Sequence, residues 1–358
     1  SRSVEAGVFE PVETELAIDA DDIVLATGSR PLALPGNPFA GALIDSTQAL
    51  ELNTLPSSAV IIGAGAVALE FASLWNAAGC EVTLLIRKDR VLSTWERRAS
   101  MTLTRELKRR GVNVIARTAV DRVDTGANLG ATVHYRQGDS DEDRTAYGEV
   151  VLAAIGRVPN TDADWFRSSG LKLDERGYVT VDGYGRTNLD GVWALGDITP
   201  GHALAHRAFE QGITIAEKIA GADPKPVIDD TVPQVVFSFP EAASVGLTLD
   251  QAKAREDVVE PKETAYPMLS NARMLMSGEG GSMTVVSGAF ANNPDMQVVL
   301  GVHIVSPIAS DLIAEAEQLV GNRVPLADAA RLIHPHPTFS ETLGEALLKA
   351  DGRPLHTR

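Results

Sequence analysis

The chain has 358 residues, 44% of them apolar and 22% charged, a size and composition that suit two or three soluble globular domains. Its net charge of −16 repels phosphate backbones and anionic membranes, so neither a nucleic acid nor a membrane is an expected partner. No run approaches the roughly 20 apolar residues of a membrane helix, and residues 1–13 lack the apolar core of a signal peptide, which predicts a cytoplasmic protein.

The first half of the chain contains a βαβ pattern. A strand is predicted at Ile23–Ala26, and from Ser57 the order is strand, Gly-rich turn, helix, strand, with the segments AVII, GAGA, VALEFASLWNAAG and CEVTLLI. An amphipathic helix is predicted at Leu103–Arg110 and a strand at Val112–Ala116. Two β-rich runs follow within 126–156. This order predicts a Rossmann unit with a β insertion.

The second half changes character after a linker. Residues 156–197 carry short elements that end in VWALGDI, a helix is predicted from about 203 to 219, and 221–226 (GADPKP) is typical of a linker. Helices are predicted near 310–320 and 340–350, and antiparallel strands in VVFSFPEAASVGL, SMTVVSGAF and MQVVLGVHIV. Strands flanked by helices indicate an α+β domain.

The single cysteine, Cys80, cannot form a disulphide within the chain. It follows Gly79 at a predicted helix end and precedes a strand, so we expect it to be a small buried hydrophobe. One thiol excludes a dithiol active site among these residues and is compatible with a reducing compartment. We assign no metal ligand.

A dinucleotide-binding turn is predicted directly after the strand AVII. Gly63, Gly65 and Ala68 match the GxGxxG/A pattern, and a helix and a second strand follow. The first Gly permits the tight turn, the second lets the backbone approach a pyrophosphate, and the small third residue permits close helix packing. The helix N-terminus then presents N–H groups to the phosphates.

The end of the second strand indicates which nicotinamide nucleotide is bound. An acidic residue there would bind the ribose 2′-OH, whereas a cation accommodates a 2′-phosphate. Ile86 occupies the acidic position, and Arg87, Lys88 and Arg90 follow it, which favours NADPH over NADH. The alternative is that these cations are ordinary solvated charges, partly neutralised by Asp89.

Six motifs occur in the order found in one enzyme family: ATGSRPLALPG, GAGAVALE, GRVPN, ALGD, LAHRAFEQG and HPHPTFSE. Through them the chain resembles, over essentially its whole length, the pyridine nucleotide-disulfide oxidoreductases, and among these most of all the dihydrolipoamide dehydrogenases. The resemblance implies an α/β fold with two Rossmann-like three-layer domains, one for FAD and one for NAD(P), and a C-terminal α+β dimerisation domain. The expected limits are 1–42 with 157–230 for the FAD domain, 43–156 for the NAD(P) domain and 231–358 for the dimerisation domain.

The resemblance also assigns residues to FAD. Asp197 is expected to bind the ribityl chain or a nearby phosphate, although a carboxylate after a strand and a Gly can also be a helix or turn cap. The helix of LAHRAFEQG is expected to direct its N-terminal dipole at the flavin. The residues assigned to FAD are Ala26, Thr27, Gly28, Asp197, Leu204, Ala205 and His206.

Three further residues are placed by the same likeness. Glu70 is expected to pair with a lysine near the flavin and to line the nicotinamide pocket; an exposed position on the helix is the alternative. Gly156 and Arg157 match GRxPN, a turn that returns the chain to the FAD domain, and Arg157 is a candidate contact of the dinucleotide.

In HPHPTFSE, His336 is the expected acid/base and Glu341 the residue that orients it. An imidazole titrates near neutrality and can exchange a proton with a thiol, and a carboxylate stabilises its charged form. Two alternatives stay open: His334 could take the role, and Thr338–Glu341 matches a capping box. By resemblance, the pair reaches across a two-fold axis into the partner's flavin site, which implies a homodimer.

The family's first FAD motif and its Cys-x4-Cys pair are not found in these residues, so we expect the FAD domain to be N-terminally incomplete and this chain alone to be inactive. The implied reaction passes electrons from NAD(P)H through FAD to a cysteine pair and then to a lipoyl or small-molecule disulphide. A glutathione- or mycothione-type reductase and a quinone reductase are the alternative enzymes. A nucleotide-binding dimerisation remnant is the non-enzyme alternative.

Overall fold

The predicted elements form in the expected order. The computed structural model describes residues 18–126 and 130–357, so residues 1–17 of the expected FAD domain lie outside the described part. The strands are β1 (Ile23–Leu25), β2 (Ser29–Pro31), β3 (Leu43–Ile44), β4 (Ser58–Ile62), β5 (Glu81–Ile86), β6 (Asn113–Ala116), β7 (Thr118–Asp124), β8 (Ala131–Gln137), β9 (Arg144–Gly148), β10 (Val150–Ala153), β11 (Arg157–Pro159), β12 (Val192–Ala194), β13 (Gln234–Val236), β14 (Glu241–Gly246), β15 (Val258–Tyr266), β16 (Ser282–Phe290) and β17 (Asn293–Ser306). The α-helices are α1 (Ser46–Leu50), α2 (Ala66–Ala77), α3 (Arg97–Arg109), α4 (Asp164–Ser168), α5 (Ala205–Ile219), α6 (Leu249–Ala254), α7 (Ala272–Ser277), α8 (Ala309–Gly321), α9 (Leu326–Ala329) and α10 (Glu341–Ala350).

A five-stranded parallel sheet with the order β3-β10-β4-β5-β6 forms the middle layer of the first half. Ile61 and Leu84 on one face pack with residues of α2 and α3. Val60 and Leu85 on the other face pack with Val133 of the antiparallel sheet β7-β8-β9. The strands are almost continuously apolar because both faces are covered. The predicted β insertion is therefore the third layer of this domain.

Two small strand pairs join the N-terminal segment to the middle of the chain. Strand β1 pairs in parallel with β12, and β2 pairs antiparallel with β11. Phe166, Ala194 and Ile198 form a small buried cluster beside them. Residues 23–31 and 157–194 thus belong to one body although the nucleotide-binding sheet separates them in sequence.

The C-terminal domain is an antiparallel sheet with the order β13-β14-β17-β16-β15. Helices α8 and α10 pack on it through Leu312, Ile313, Leu343 and Leu347, all buried. The α/β class, the parallel nucleotide-binding sheet and the α+β C-terminal domain agree with the sequence prediction. Strand β15 and helix α7 had not been predicted, since Glu260, Lys262 and Glu263 interrupt the apolar pattern of β15.

Helix α3 joins the nucleotide-binding domain to the C-terminal sheet. The buried carboxylate of Glu96 accepts the N–H groups of Arg98 and Ala99 at 2.6 and 2.7 Å and so caps the helix. Thr284 of β16 donates to the same carboxylate at 3.4 Å. Because of this cap, α3 begins six residues before the predicted start at Leu103.

Two further observations bear on the sequence predictions. Cys80 is buried, and burial, with the nearby Glu149 and Glu81, raises the pKa of its thiol to about 11, as suits a structural cysteine. Among residues 18–126 and 130–357, no helix has both the length and the apolar character needed to cross a membrane.

Candidate functional site

The glycine-rich turn lies between β4 and α2 and has the geometry that a dinucleotide needs. Gly63 has φ 145°, and a Cβ at this position would lie 2.2 Å from the carbonyl oxygen of Ala154 and 3.3 Å from Cβ of Ala68. A Cβ at Gly65 would have no atom within 4 Å. Gly63 is therefore required by packing, whereas Gly65 leaves open space at the helix N-terminus. That space fits a pyrophosphate.

Two exposed cations follow β5 beside this turn. Ile86 is fully buried, so it offers no contact to a ribose. Asp89 pairs with Arg90, the third cation of this segment, at 3.0 Å. Within the described ranges, the side chains of Arg87 and Lys88 form no hydrogen bond or ion pair. Both remain available to an anionic ligand.

On the expected flavin side, a hydrogen-bond chain holds Asp197. Ser29 donates to Oδ2 of Asp197 at 2.6 Å, and the Nε of Arg157 donates to the Ser29 hydroxyl at 2.7 Å. Arg157 also donates to the backbone carbonyl of Ser29 at 2.7 Å. The guanidinium thus orders the Asp197 carboxylate through Ser29. Sequence reasoning had missed Ser29, although it directly follows the ATG motif.

The ATG segment is anchored from the GRxPN turn. Asn160 donates to the carbonyl of Thr27 at 2.9 Å, and the Thr27 hydroxyl donates to the carbonyl of Asn160 at 2.8 Å. Ala26 precedes this pair, and Gly28 has φ 71° with open space around a Cβ. Gly156, with φ 148°, accepts the N–H of Leu32 at 3.0 Å. The open backbone at 26–28 fits the close approach of a planar ring.

The N-terminus of α5 packs beside Asp197 and lacks a side-chain cap. Leu204 is the N-cap residue, Ala205 begins the helix, and a Cβ on Gly196 would lie 3.4 Å from Ala208. The Nε2 of His206 lies 2.7 Å from the carbonyl of Pro233, so the imidazole N–H donates there. The uncapped N–H groups leave the positive end of the helix dipole available to a negatively charged ligand.

Glu70 joins α2 to the segment after β13. Its Oε1 accepts the N–H of Phe237 at 3.0 Å, and Ser73, one turn further on, accepts the N–H of Phe239 at 3.1 Å. The partner lysine expected from the resemblance is not among the described contacts of Glu70. In the described residues, Glu70 therefore positions a backbone segment beside the dinucleotide turn.

His336 and Glu341 lie together at the start of α10. The Nδ1 of His336 is 2.7 Å from Oε1 of Glu341, and the other carboxylate oxygen accepts the N–H of Thr338 at 2.8 Å. The His336 side chain is 73% exposed. Desolvation raises the pKa of Glu341, but the Thr338 N–H and His336 outweigh it, and the net shift is downward. A charged carboxylate thus holds an imidazole that faces solvent.

The structure bears on both alternatives for HPHPTFSE, a capping box at Thr338–Glu341 and His334 in place of His336. The Thr338 hydroxyl donates to Pro335 at 2.7 Å and does not cap α10, so only the Glu341 half of the capping box forms. The Nε2 of His334 lies 2.9 Å from Glu315 of α8, and its side chain is 9% exposed. His334 therefore packs inside the domain, whereas His336 is accessible.

The two nucleotide-facing turns and the carboxylate–histidine pair define an oxidoreductase that binds two dinucleotides. Residues 4–212 match the family model for pyridine nucleotide-disulphide oxidoreductases, and residues 232–347 match the dimerisation domain of the same enzymes. The chain belongs to the pyridine nucleotide-disulphide oxidoreductase family. It is a flavoprotein of the α/β class, and its cofactors are FAD and NAD(P)H.

Individual relatives agree with this assignment. The chain is 36% identical over 342 residues to the dihydrolipoyl dehydrogenase of Cupriavidus necator, covering 95% of this chain and 70% of the relative. It is 37% identical over 339 residues to that of Geobacillus stearothermophilus, covering 93% and 69%. The crystal structure of LpdA from Mycobacterium tuberculosis superposes with a TM-score of 0.81 at 29% identity, covering 92% of this chain and 70% of LpdA.

The two glycines of the turn should respond oppositely to alanine. Gly63→Ala places a methyl group against Ala154 and should lower the free energy of unfolding by about 1–3 kcal/mol. Gly65→Ala should leave stability unchanged but weaken NAD(P)H binding at least about tenfold, because the methyl group would fill the open space expected to hold the pyrophosphate. Denaturant midpoints and fluorescence titration measure the two effects. Equal nucleotide affinity of Gly65→Ala and wild type would contradict the assignment of the turn.

The His334–Glu315 pair should make stability depend on pH. The hydrogen bond that His334 donates to the Glu315 carboxylate raises the pKa of His334 despite desolvation. Its contribution is therefore fully present below the unfolded histidine pKa of about 6.5 and is lost as pH rises through the folded value. His334→Gln should destabilise the protein by roughly 0.5–1 kcal/mol more at acidic than at alkaline pH, the scale of a partly exposed ion pair. Denaturant midpoints at both pH values measure this, and the difference should vanish in a Glu315→Gln background. A loss that is equal at both pH values would contradict the pairing.

Proposed function

We propose that the protein expressed from its complete gene transfers electrons between NADP(H) and a lipoyl-type disulphide, and that His336 with Glu341 moves the proton that this exchange requires. The observation that carries the proposal is the solvent-facing imidazole at 2.7 Å from a carboxylate. A lipoyl substrate is supported by the dihydrolipoyl dehydrogenases among the relatives. Bound FAD supplies the electron transfer between nicotinamide and disulphide.

The role of His336 follows from its contacts. Because Nδ1 faces the Glu341 carboxylate, Nδ1 carries the hydrogen and Nε2 is left to exchange a proton with a thiol. The lowered pKa of Glu341 keeps a charged carboxylate beside the imidazole ring. Thr338 fixes the second oxygen, so the carboxylate holds the ring in one orientation.

Binding of FAD falls to the segments around Asp197. Ala26, Thr27 and Gly28 offer an open backbone against the ring system, and Asp197, ordered by Ser29, can accept hydrogen bonds from ribityl hydroxyls. The N-terminus of α5, at Leu204, Ala205 and His206, offers its N–H groups to the flavin. Glu70 and Arg157 would act indirectly, each by holding backbone beside a nucleotide site. Glu70 accepts the N–H of Phe237, and Arg157 donates to the carbonyl of Ser29.

The domain limits proposed from sequence are supported by the strand pairing. Residues 43–156 contain the parallel sheet and its β insertion, 1–42 with 157–230 contain the paired strands of the FAD domain, and 231–358 contain the antiparallel sheet. The matching dimerisation domain supports a homodimer. In that assembly, the exposed His336 would act in the active site of the partner subunit.

A second candidate is an NADPH-dependent reductase of a small thiol disulphide such as the glutathione or mycothione type. The unpaired cations Arg87 and Lys88 favour it. Turnover by the protein expressed from its complete gene, with NADPH against lipoamide and against glutathione disulphide, separates the two substrates. Reduction of glutathione disulphide in preference to lipoamide would overturn the lipoyl assignment and leave the nucleotide assignment intact.

Wild-type protein should prefer NADPH to NADH. Arg87 and Lys88 stand next to the position where an acidic residue would bind the 2′-OH. Loss of one charged contact to a phosphate typically weakens binding about ten- to hundredfold. We expect Arg87→Glu to lower kcat/KM for NADPH by that factor while NADH is used at least as well as before. Steady-state assays with both nucleotides measure this. Equal or better use of NADH by the wild type would disprove the preference.

Replacing His336 should slow the disulphide half-reaction selectively. His336→Gln removes the proton carrier and should reduce the rate of disulphide reduction by roughly two or more orders of magnitude. Reduction of the flavin by NADPH should keep its rate, because the substitution leaves the nucleotide site intact. Stopped-flow absorbance separates the two half-reactions. His334→Gln is the matched control and should turn over normally where the fold is stable. Wild-type disulphide reduction by His336→Gln, or full activity of a monomer in sedimentation experiments, would refute the role.

A further inference from the structure

Arg117 adopts an unusual backbone conformation directly after β6. Its φ is 57°, in the left-handed region that large side chains disfavour. The N–H of Arg117 donates to the carbonyl of Lys88 at 3.0 Å, and its carbonyl accepts the N–H of Gly138 at 2.8 Å. Contacts on both sides therefore hold the residue in this conformation, next to one of the two cations proposed to bind the nucleotide.

The strand register places Arg117 beside Arg87. Strands β5 and β6 are parallel neighbours, and Ile86 lies opposite Ala116. The residue that follows each of these strands is an arginine, Arg87 after β5 and Arg117 after β6. Neighbouring strands are about 4.8 Å apart, so the two arginines begin close together. Thr118 strengthens this edge, since its hydroxyl donates to the carbonyl of Ile86 at 3.1 Å. Arg117 thus comes from a different strand but reaches the same corner of the sheet.

The charges at this corner are unpaired. Arg117 is exposed, and across residues 18–126 and 130–357 its guanidinium, like the side chains of Arg87 and Lys88, has no acidic partner. Several other arginines of the domain are paired, for example Arg122 with Asp124 at 3.3 Å and Arg136 with Asp121 at 3.0 Å. In a chain with 48 acidic residues and a net charge of −16, three neighbouring free cations form a site suited to a dianion.

We propose that Arg117 is a third binding group for the 2′-phosphate of NADP(H), opposite Arg87 across the end of the β5–β6 pair. The inference rests on the proposed use of NADP(H). A guanidinium can donate two hydrogen bonds to one phosphate, so Arg87 and Arg117 hold the group from two strands while Lys88 adds charge.

Direct binding of nucleotide fragments to the protein expressed from its complete gene tests the proposal without catalysis. The probes are 2′,5′-ADP, which carries the 2′-phosphate, and 5′-AMP, which lacks it, each titrated by calorimetry. Arg117→Asn removes the charge but tolerates φ near 57°. We expect it to weaken 2′,5′-ADP binding about tenfold with 5′-AMP unchanged. Arg117→Lys should bind 2′,5′-ADP more tightly than Arg117→Asn.

The matched control is Arg122→Asn, which removes an exposed arginine of the same domain and should leave both affinities unchanged. The role of Arg117 would be overturned if the substitution weakened binding of 2′,5′-ADP and of 5′-AMP equally. It would also be overturned if neither Arg117→Asn nor Arg117→Gly weakened binding of 2′,5′-ADP. If wild type itself failed to prefer 2′,5′-ADP, the proposed use of NADP(H) would fail as well. If wild type prefers 2′,5′-ADP to 5′-AMP and Arg117→Asn keeps that preference, only the proposed role of Arg117 would be overturned.

Discussion

Parallel pairing of β4, β5, β6 and β10 brings the carboxyl ends of these strands to one edge of the sheet. The turn at Gly63 leaves β4 there and packs against Ala154, just beyond β10, closely enough that no side chain fits between them. Arg87 and Arg117 leave β5 and β6 at the same edge. The glycine turn and the cations proposed to bind the ribose phosphate are therefore neighbours because the strands run in the same direction.

Local charge distinguishes this sheet edge from the His336–Glu341 pair. The chain is strongly acidic, so the neighbouring cations Arg87, Lys88 and Arg117 stand out as a positively charged cluster, which we propose to bind an anionic ligand. At α10 the arrangement is the reverse, since a carboxylate with a lowered pKa holds an exposed imidazole. His303 shows the structural counterpart: burial lowers its pKa, and Ser244 and the Leu247 carbonyl satisfy the ring nitrogens of the imidazole.

Helices α2 and α3 couple the nucleotide-binding domain to the C-terminal sheet. Glu70 and Ser73 on α2 accept backbone N–H groups of the segment after β13, and Glu96 at the start of α3 accepts the hydroxyl of Thr284. Arg110 stacks over the ring of Phe239 at 3.9 Å. The dinucleotide turn thus begins the same helix that contacts the C-terminal domain, so these contacts fix how the C-terminal domain sits against the nucleotide-binding domain.

Local patterns in the sequence were sufficient to predict the βαβ unit and the glycine turn, whereas the pairing of His336 with Glu341 was expected from the family resemblance. The glycine turn depends on residues close together in the chain, where spacing determines geometry: Gly63, Gly65 and Ala68 lie within six residues. The charged strand β15 was missed because pairing with β16, rather than its own pattern, makes it a strand. Ser29, Arg117 and the distinction between His334 and His336 required tertiary structure. Their partners, Asp197, Lys88 and Glu315, come from other elements, and which elements meet is decided by sheet register and helix packing, which no short segment encodes.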